Sequence, residues 1–456
     1  AHGAPSPQST PHHTKPRKFP TAMPLRRRLL GLSAAVSGAL RRSLATDAAH
    51  PPWVMLDRVA QVVGAWSAAA RLAEPPHVSE LRLPEHVIEA FPAPDRDFLE
   101  LRSGAISGAS CDGLLFLSVL NARFTPPAAG ERRAGRASTH PAVPDPAHAP
   151  RVTRLVCNPL TRELSRLPDF VSDPEYDFML ATQMSMGVLT QSDRGQGPPD
   201  RFVAALLNGE QMLRFRSETG EWEAVALSPC FFPLPRPRRV TLDQETLAFG
   251  GRLWWVDLSW GALSADPFSD RPELSFVQLP RGSVLPEGAH GQARSLGVID
   301  WHMHTPFRYR RMGVSQGRLR YVEVSRDEPF LLSSFVLDDG GSGWMQEHRV
   351  VLNKLWASHM SLPLQQGATT RIVLIDPVNA NVVYLAVDTL AVVAVDMDRE
   401  EVIGSYPYSD TAACIPCVLP PWLGSSRIPS AGGRKFVRKN KTPVDVVAYS
   451  DSYYKR

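Results

Sequence analysis

The chain has 456 residues, 43% of them hydrophobic and 21% charged, which is enough apolar content for a substantial core. Its formal net charge of +4 sits at the ends: residues 1–45 carry eight Lys/Arg and no acid, residues 432–456 carry seven Lys/Arg and two Asp, and the body between holds 35 basic against 44 acidic residues. An acidic body argues against a duplex-binding surface, so no nucleic-acid partner is expected; 42 prolines argue against long helices, and five scattered cysteines do not make a disulfide framework.

Residues 1–22 are rich in His, Pro, Ser and Thr without apolar periodicity and read as disordered. From Met23, Leu25, Leu29, Leu32, Val36, Leu40 and Leu44 recur at helical spacing between arginines at 26–28 and 41–42. An Arg-rich, Ser/Ala-rich, acid-poor amphipathic helix is the composition of an organellar transit peptide. Mitochondrial import is the expectation, with chloroplast, or cytoplasm and nucleus, as alternatives. A secretory signal fits less well, because Arg41 and Arg42 follow the apolar run directly. That run is also too short to span a bilayer, so no transmembrane segment is expected.

After this leader (1–45) comes a lead-in, 46–97, where Val59, Val62, Val63 and Trp66 share a face and predict a helix over 54–72. A domain follows over 98–424. One phrase recurs in it, a glycine, any residue, leucine, any residue and a large apolar side chain: Gly113-Leu-Leu-Phe-Leu117, Gly251-Arg-Leu-Trp-Trp255 and Gly317-Arg-Leu-Arg-Tyr321. The alternation predicts a strand, and the glycine before it a turn that a Cβ would hinder. Around these phrases lie units of short predicted strands.

The first unit is Gly113–Val119, Arg151–Cys157 and Glu163–Leu167, with 124–150 as a disordered insertion. The second is Met179–Leu189, Arg201–Leu207, Gln211–Phe215 and Trp222–Leu227. The third is Arg239–Phe249, Gly251–Leu258 and Leu274–Leu279, and the fourth is Met312–Val314, Arg318–Val324, Phe330–Leu337 and Trp344–Leu352. The fifth is Arg371–Ile375, Val382–Val387, Leu390–Val395 and Glu401–Ser405. Turns rich in Asp, Asn, Gly and Pro join them, each for its own backbone reason. Repeated four-strand units predict an all-β fold, an irregular β-propeller of five or six blades, with paired β-sandwiches as the alternative. A basic tail occupies 425–456.

The stretch Asp243-Gln-Glu-Thr-Leu-Ala-Phe-Gly-Gly-Arg-Leu-Trp-Trp-Val-Asp257, with Trp260-Gly-Ala, Asp266-Pro-Phe-Ser-Asp270, Trp53-Val-Met-Leu-Asp57, Asp376-Pro and Asp396-Met-Asp398, resembles the grass-expanded plant family called domain of unknown function 1618. The resemblance runs over most of 53–424 and implies an origin and a fold but no activity. Cys111-Asp-Gly-Leu-Leu with Val156-Cys-Asn-Pro-Leu-Thr-Arg-Glu-Leu-Ser-Arg-Leu-Pro168 is also similar to the first blade of F-box-associated and kelch propellers, which recruit proteins to ubiquitin ligases. Pro92 and Pro94 would stop the helix that an F-box needs ahead of the blade.

Candidate chemistry is sparse. Cys414-Ile-Pro-Cys417 has the spacing of a metal or redox pair, but no second such pair accompanies it, and structural cysteines in a loop is the competing reading. His302 and His304 share a face if extended, which suits a metal, or they sit in a surface loop. No phosphate-binding loop, nucleophile elbow or zinc-protease signature occurs, so no catalytic residue and no cofactor is assigned. The expected function is a non-enzymatic protein-interaction propeller whose partner and oligomeric state the sequence does not name. The rival is a channel-site hydrolase of the propeller type, for which Asp112, Asp257, Asp300 and Glu323 are the available acids.

Overall fold

All three glycines that open the recurring phrase lie in the left-handed region, at φ 84° for Gly113, 72° for Gly251 and 68° for Gly317. Gly250 and Gln316 precede two of them at φ 61° and 50°, so both turns carry positive φ at consecutive central residues, as tight hairpins demand. These features come from a computed structural model that describes residues 50–91, 99–125, 143–144, 149–169, 186–228, 240–286, 308–358, 370–387, 391–407 and 413–430, except positions 196, 241, 243 and 342. The leader, the basic tail beyond residue 430, most of the 124–150 insertion and the predicted strand at 179–185 lie outside them. The sheets all belong to the unit formed within residues 46–456.

The fold is all-β, with helix confined to short pieces such as Leu352–Ser358 among the described residues. No helix among these residues is long and apolar enough to cross a membrane. Four sheets are antiparallel meanders of four strands each, in chain order. Sheet II is Gly187–Gln191, Arg201–Asn208, Gln211–Arg216 and Glu221–Ala226. Sheet III is Leu247–Phe249, Arg252–Asp257, Gly261–Ala265 and Ser275–Gln278. Sheet IV is Arg310–Ser315, Arg318–Val324, Leu331–Leu337 and Trp344–Val351. Sheet V is Thr370–Ile375, Val382–Val387, Ala391–Asp396 and Glu401–Pro407.

Sheet I holds ten strands and joins the two ends of the described chain. Its order is Cys414–Val418, Trp53–Asp57, Val78–Pro84, Val59–Val63, Leu99–Ala109, Leu115–Thr125, Arg151–Asn158 and Glu163–Arg166. Ala69–Arg71 and Val143–Pro144 pair at its flanks, so part of the 124–150 insertion is strand rather than loop. The first and last strands run antiparallel, Trp53 opposite Val418 and Asp57 opposite Cys414. Residues 54–72 are therefore not the helix their spacing predicts. Three short strands, Trp53–Asp57, Val59–Val63 and Ala69–Arg71, replace it, and Trp66 is 95% exposed rather than core.

Apolar layers fill the space between successive sheets. Leu117 and Val156 of sheet I pack with Phe202 and Phe215 of sheet II; Leu189 and Val203 of sheet II pack with Leu253 and Trp255 of sheet III. Trp254 and Val256, on the opposite face of sheet III, meet Met312 and Tyr321 of sheet IV. Val322 and Leu332 of sheet IV meet Val383 and Leu385 of sheet V. Finally Tyr384 and Val392 of sheet V meet Trp53, Met55 and Cys414 of sheet I. Alternation puts Trp254 and Trp255 in two different layers, and both are buried.

The glycine phrase also yields a graded stability test. A Cβ on Gly113 would overlap the Val418 carbonyl oxygen and the Leu423 side chain, whereas Gly317 faces open space. Gly317→Ala should cost about 1–2 kcal/mol for the left-handed backbone alone. Gly113→Ala should cost clearly more, because the last strand must also move. Equal losses in paired urea titrations would show that the close approach at Gly113 adds nothing.

Candidate functional site

The innermost strands meet at a buried ionic cluster built from three distant parts of the chain. Arg58 follows the first strand directly; its amide donates to Ala413 O at 2.9 Å and its carbonyl accepts from the Ile106 amide at 2.8 Å. Glu245 sits in the approach to Leu247–Phe249, beside Gln244. The Gln244 amide group acts as a piece of strand: Nε2 donates to Met312 O at 2.7 Å and Oε1 accepts from the Met312 amide at 2.8 Å. Arg311 lies on the first strand of sheet IV.

Glu245 Oε2 accepts from Arg58 and Oε1 from Arg311, while Arg311 Nη2 also donates to Cys414 O at 2.9 Å. The three side chains are 2–4% exposed. Burial pushes the Arg311 guanidinium below its ordinary range; Glu245 opposes that shift and the like charge of Arg58 adds to it. This clasp ties sheet III, sheet IV and both closing strands of sheet I at one point. Glycines let the backbones approach around it. A Cβ on Gly108 would meet Thr246 O at 3.2 Å, one on Gly187 the Thr246 methyl at 2.5 Å, and one on Gly313 Ile375 at 3.3 Å.

The three candidate acids among the described residues do not converge here. Asp112 accepts from Thr190 Oγ1 at 2.6 Å. Asp257 Oδ1 accepts from the amide and hydroxyl of Ser259, at 2.9 and 2.6 Å, and so caps its own turn. Glu323 accepts from Ser283 Oγ and Tyr321 OH, both at 2.9 Å, and faces Arg310 at 3.6 Å. Asp300, like His302 and His304, lies outside the described residues.

Cys414 and Cys417 are on the strand Cys414–Val418 rather than in a loop. Pro416 is accommodated because that strand forms an edge of sheet I, where a missing N–H costs no ladder bond. Three residues of extended chain turn the two thiols to opposite faces: Cys414 packs with Trp53 and Tyr384, Cys417 with Leu115 and Cys157. That geometry prevents a shared metal or a mutual disulfide. Burial raises both thiols far above their ordinary range and Cys157 to about 12, which leaves them weak nucleophiles. Among the described residues no group of three His, Cys, Asp or Glu is placed to hold a metal ion.

Sequence reasoning missed the clasp. Glu245 stands in a polar run, Gln244-Glu245-Thr246, just ahead of a strand, which carries no signal of burial, and the arginines that meet it are far off along the chain.

No curated protein matches the chain at a significant level. Solved structures give a distant likeness to β-propeller proteins. YCF48 bound to D1 peptide is 11% identical, with a TM-score of 0.30 over 79% of this chain and 88% of that one. The β-propeller domain of Cps50 (Swd1) from Myceliophteria thermophila is 8% identical, with a TM-score of 0.29 over 57% and 82%. Sqt1 of Saccharomyces cerevisiae is 10% identical, with a TM-score of 0.28 over 69% and 64%. The family resemblance is borne out over part of its extent: residues 255–384, which hold Trp260-Gly-Ala, Asp266–Asp270 and Asp376-Pro, match the family described as Protein of unknown function (DUF1618).

Proposed function

We propose that this chain is a six-bladed propeller that docks a protein partner through its inter-strand connections, performs no catalysis, and works in mitochondria after import through its leader. The observation that carries the reading is the cyclic order of the apolar layers, I to II, III, IV, V and back to I. The sixth blade would be Cys414–Val418, Trp53–Asp57, Val78–Pro84 and Ala69–Arg71, with Val59–Val63 linking it to the blade that begins at Leu99–Ala109. Closing the last blade with strands from both ends secures a ring that otherwise has a free seam. The clasp and the glycine contacts bring strands of successive sheets into close approach. The acids Asp112, Asp257 and Glu323 are each committed to a neighbouring side chain, which speaks against the hydrolase.

Two experiments test this. Proximity labelling with the full chain should return a recurrent set of proteins that is lost when residues 126–142 and 287–307 are replaced by Gly/Ser linkers. Hydrolysis of a lactone or glycoside that Glu323→Gln abolishes would overturn the reading. Residues 23–60 fused to a fluorescent protein should enter mitochondria, and a diffuse cytosolic signal would remove that part.

A further inference from the structure

Sheet IV carries an irregularity with a chemical consequence. Its last two strands pair Ser334 with His348 and then Phe335 with Gln346, so Glu347 is an extra, bulged residue. The bulge lets Glu347 accept from Arg320 Nη1 on the second strand. Arg320 is two residues from Val322, which lies directly opposite Ser334. Arg320, Ser334 and His348 thus share one face of the sheet in adjacent rows, the face that packs on sheet V through Val322, Leu332 and Val350.

Three polar atoms are left over on that face. Arg320 Nε, Ser334 Oγ and His348 Nδ1 are all buried and have no hydrogen-bond partner among the described residues. Ser334 is 0% exposed and Arg320 is 4% exposed. A buried polar group without a partner forfeits its hydration with nothing in return, so three in adjacent rows of one face demand a common explanation. Their chemistry is complementary to a single small guest: the guanidinium Nε–H can only donate, the imidazole nitrogen can accept, and the hydroxyl can do either. A charged guest is disfavoured, because Glu347 already answers the Arg320 charge.

We infer that the Arg320–Ser334–His348 corner binds one ordered water between sheets IV and V. The water accepts from Arg320 Nε and the Ser334 hydroxyl and donates to His348 Nδ1, giving it about three partners, the usual number for an internal site. It joins the outer edge of sheet IV to the layer shared with sheet V. The inference stands independently of the propeller reading.

A high-resolution crystal structure of the full chain should show one peak within about 2.7–3.2 Å of all three atoms. Ser334 Oγ bonded to a main-chain carbonyl, with no peak beside it, would overturn the assignment. Deuteron relaxation dispersion gives a second readout in solution. The wild-type chain should hold one more long-residence water than Ser334→Val, whose extra methyls occupy the site; equal counts would also overturn it. Density larger than a water, bridging the same atoms, would replace it with an organic polar ligand.

Discussion

Replacing Glu245 by glutamine should cost about 3–5 kcal/mol of folding stability, among the largest losses available to a single substitution in this chain. The magnitude follows from what remains. The carboxylate is shared by Arg58 and Arg311, and all three groups are nearly inaccessible to water. An amide can accept from one guanidinium but cancels no charge, so two like charges stay in a poorly solvated interior. Urea or thermal unfolding of Glu245→Gln beside wild type measures the loss, and a change below about 1 kcal/mol would show that the clasp carries little energy.

A companion variant separates the attraction from the cost of burying charge. Arg58→Met, Glu245→Leu and Arg311→Met together remove every charge and keep comparable volume. Such a triple replacement should recover most of the loss, since apolar substitution of a buried ion network is often neutral or stabilising. The two results together would identify the clasp as a device for register. It makes Ala413–Val418 find Arg58 and no other edge, because only that docking satisfies Glu245 through both of its oxygens and places Cys414 O on Arg311.

The hairpins were legible because their cause is local. Gly113, Gly251 and Gly317 announce positive φ, and the side chains of Asp376 and Asp396 announce the turns they cap through amides two and three residues ahead. Strands with small residues were not legible. Leu99–Ala109 contains Gly104 and Gly108, which lower strand propensity, and both are required by contacts made elsewhere: a Cβ on Gly104 would meet Ala60 O at 2.8 Å. Gly261–Ala265 reads as loop for the same reason, its glycine being held against the Val277 carbonyl. The false helix at 54–72 arose because Val59, Val62 and Val63 fit two periods at once, and the partners that select the strand form, Val78–Pro84 and Leu99–Ala109, lie outside that window. The clasp is unreadable on the same principle. No window contains two of its members, and a lone Arg or Glu in a window reads as surface.

The second large effect is a pH dependence written into sheet V. Asp376 caps the turn after Thr370–Ile375: Oδ1 accepts from the amides of Val378 at 2.8 Å and Asn379 at 2.9 Å, and Oδ2 from Tyr384 OH at 3.3 Å. These bonds favour the ionised form, but burial outweighs them and raises the carboxyl from 3.8 to about 6. Between those values the folded chain keeps a proton that the unfolded chain releases. Stability contributed by this group is therefore fully present below about pH 3.8, falls as pH rises toward 6, and is flat above; the drop is about 3 kcal/mol at 1.36 kcal/mol per pKa unit. Asp376→Asn keeps an oxygen for the two amides and never ionises. At pH 8 it should be more stable than wild type by up to about 3 kcal/mol, and near pH 4 the two should match within about 0.5 kcal/mol. Denaturant titrations of both proteins at pH 4, 6 and 8 yield the difference with all other titrating groups cancelled. If Asp376→Asn were the less stable protein at pH 8, the hydrogen bonds to the ionised carboxylate would outweigh its desolvation, and burial would be the weaker of the two effects.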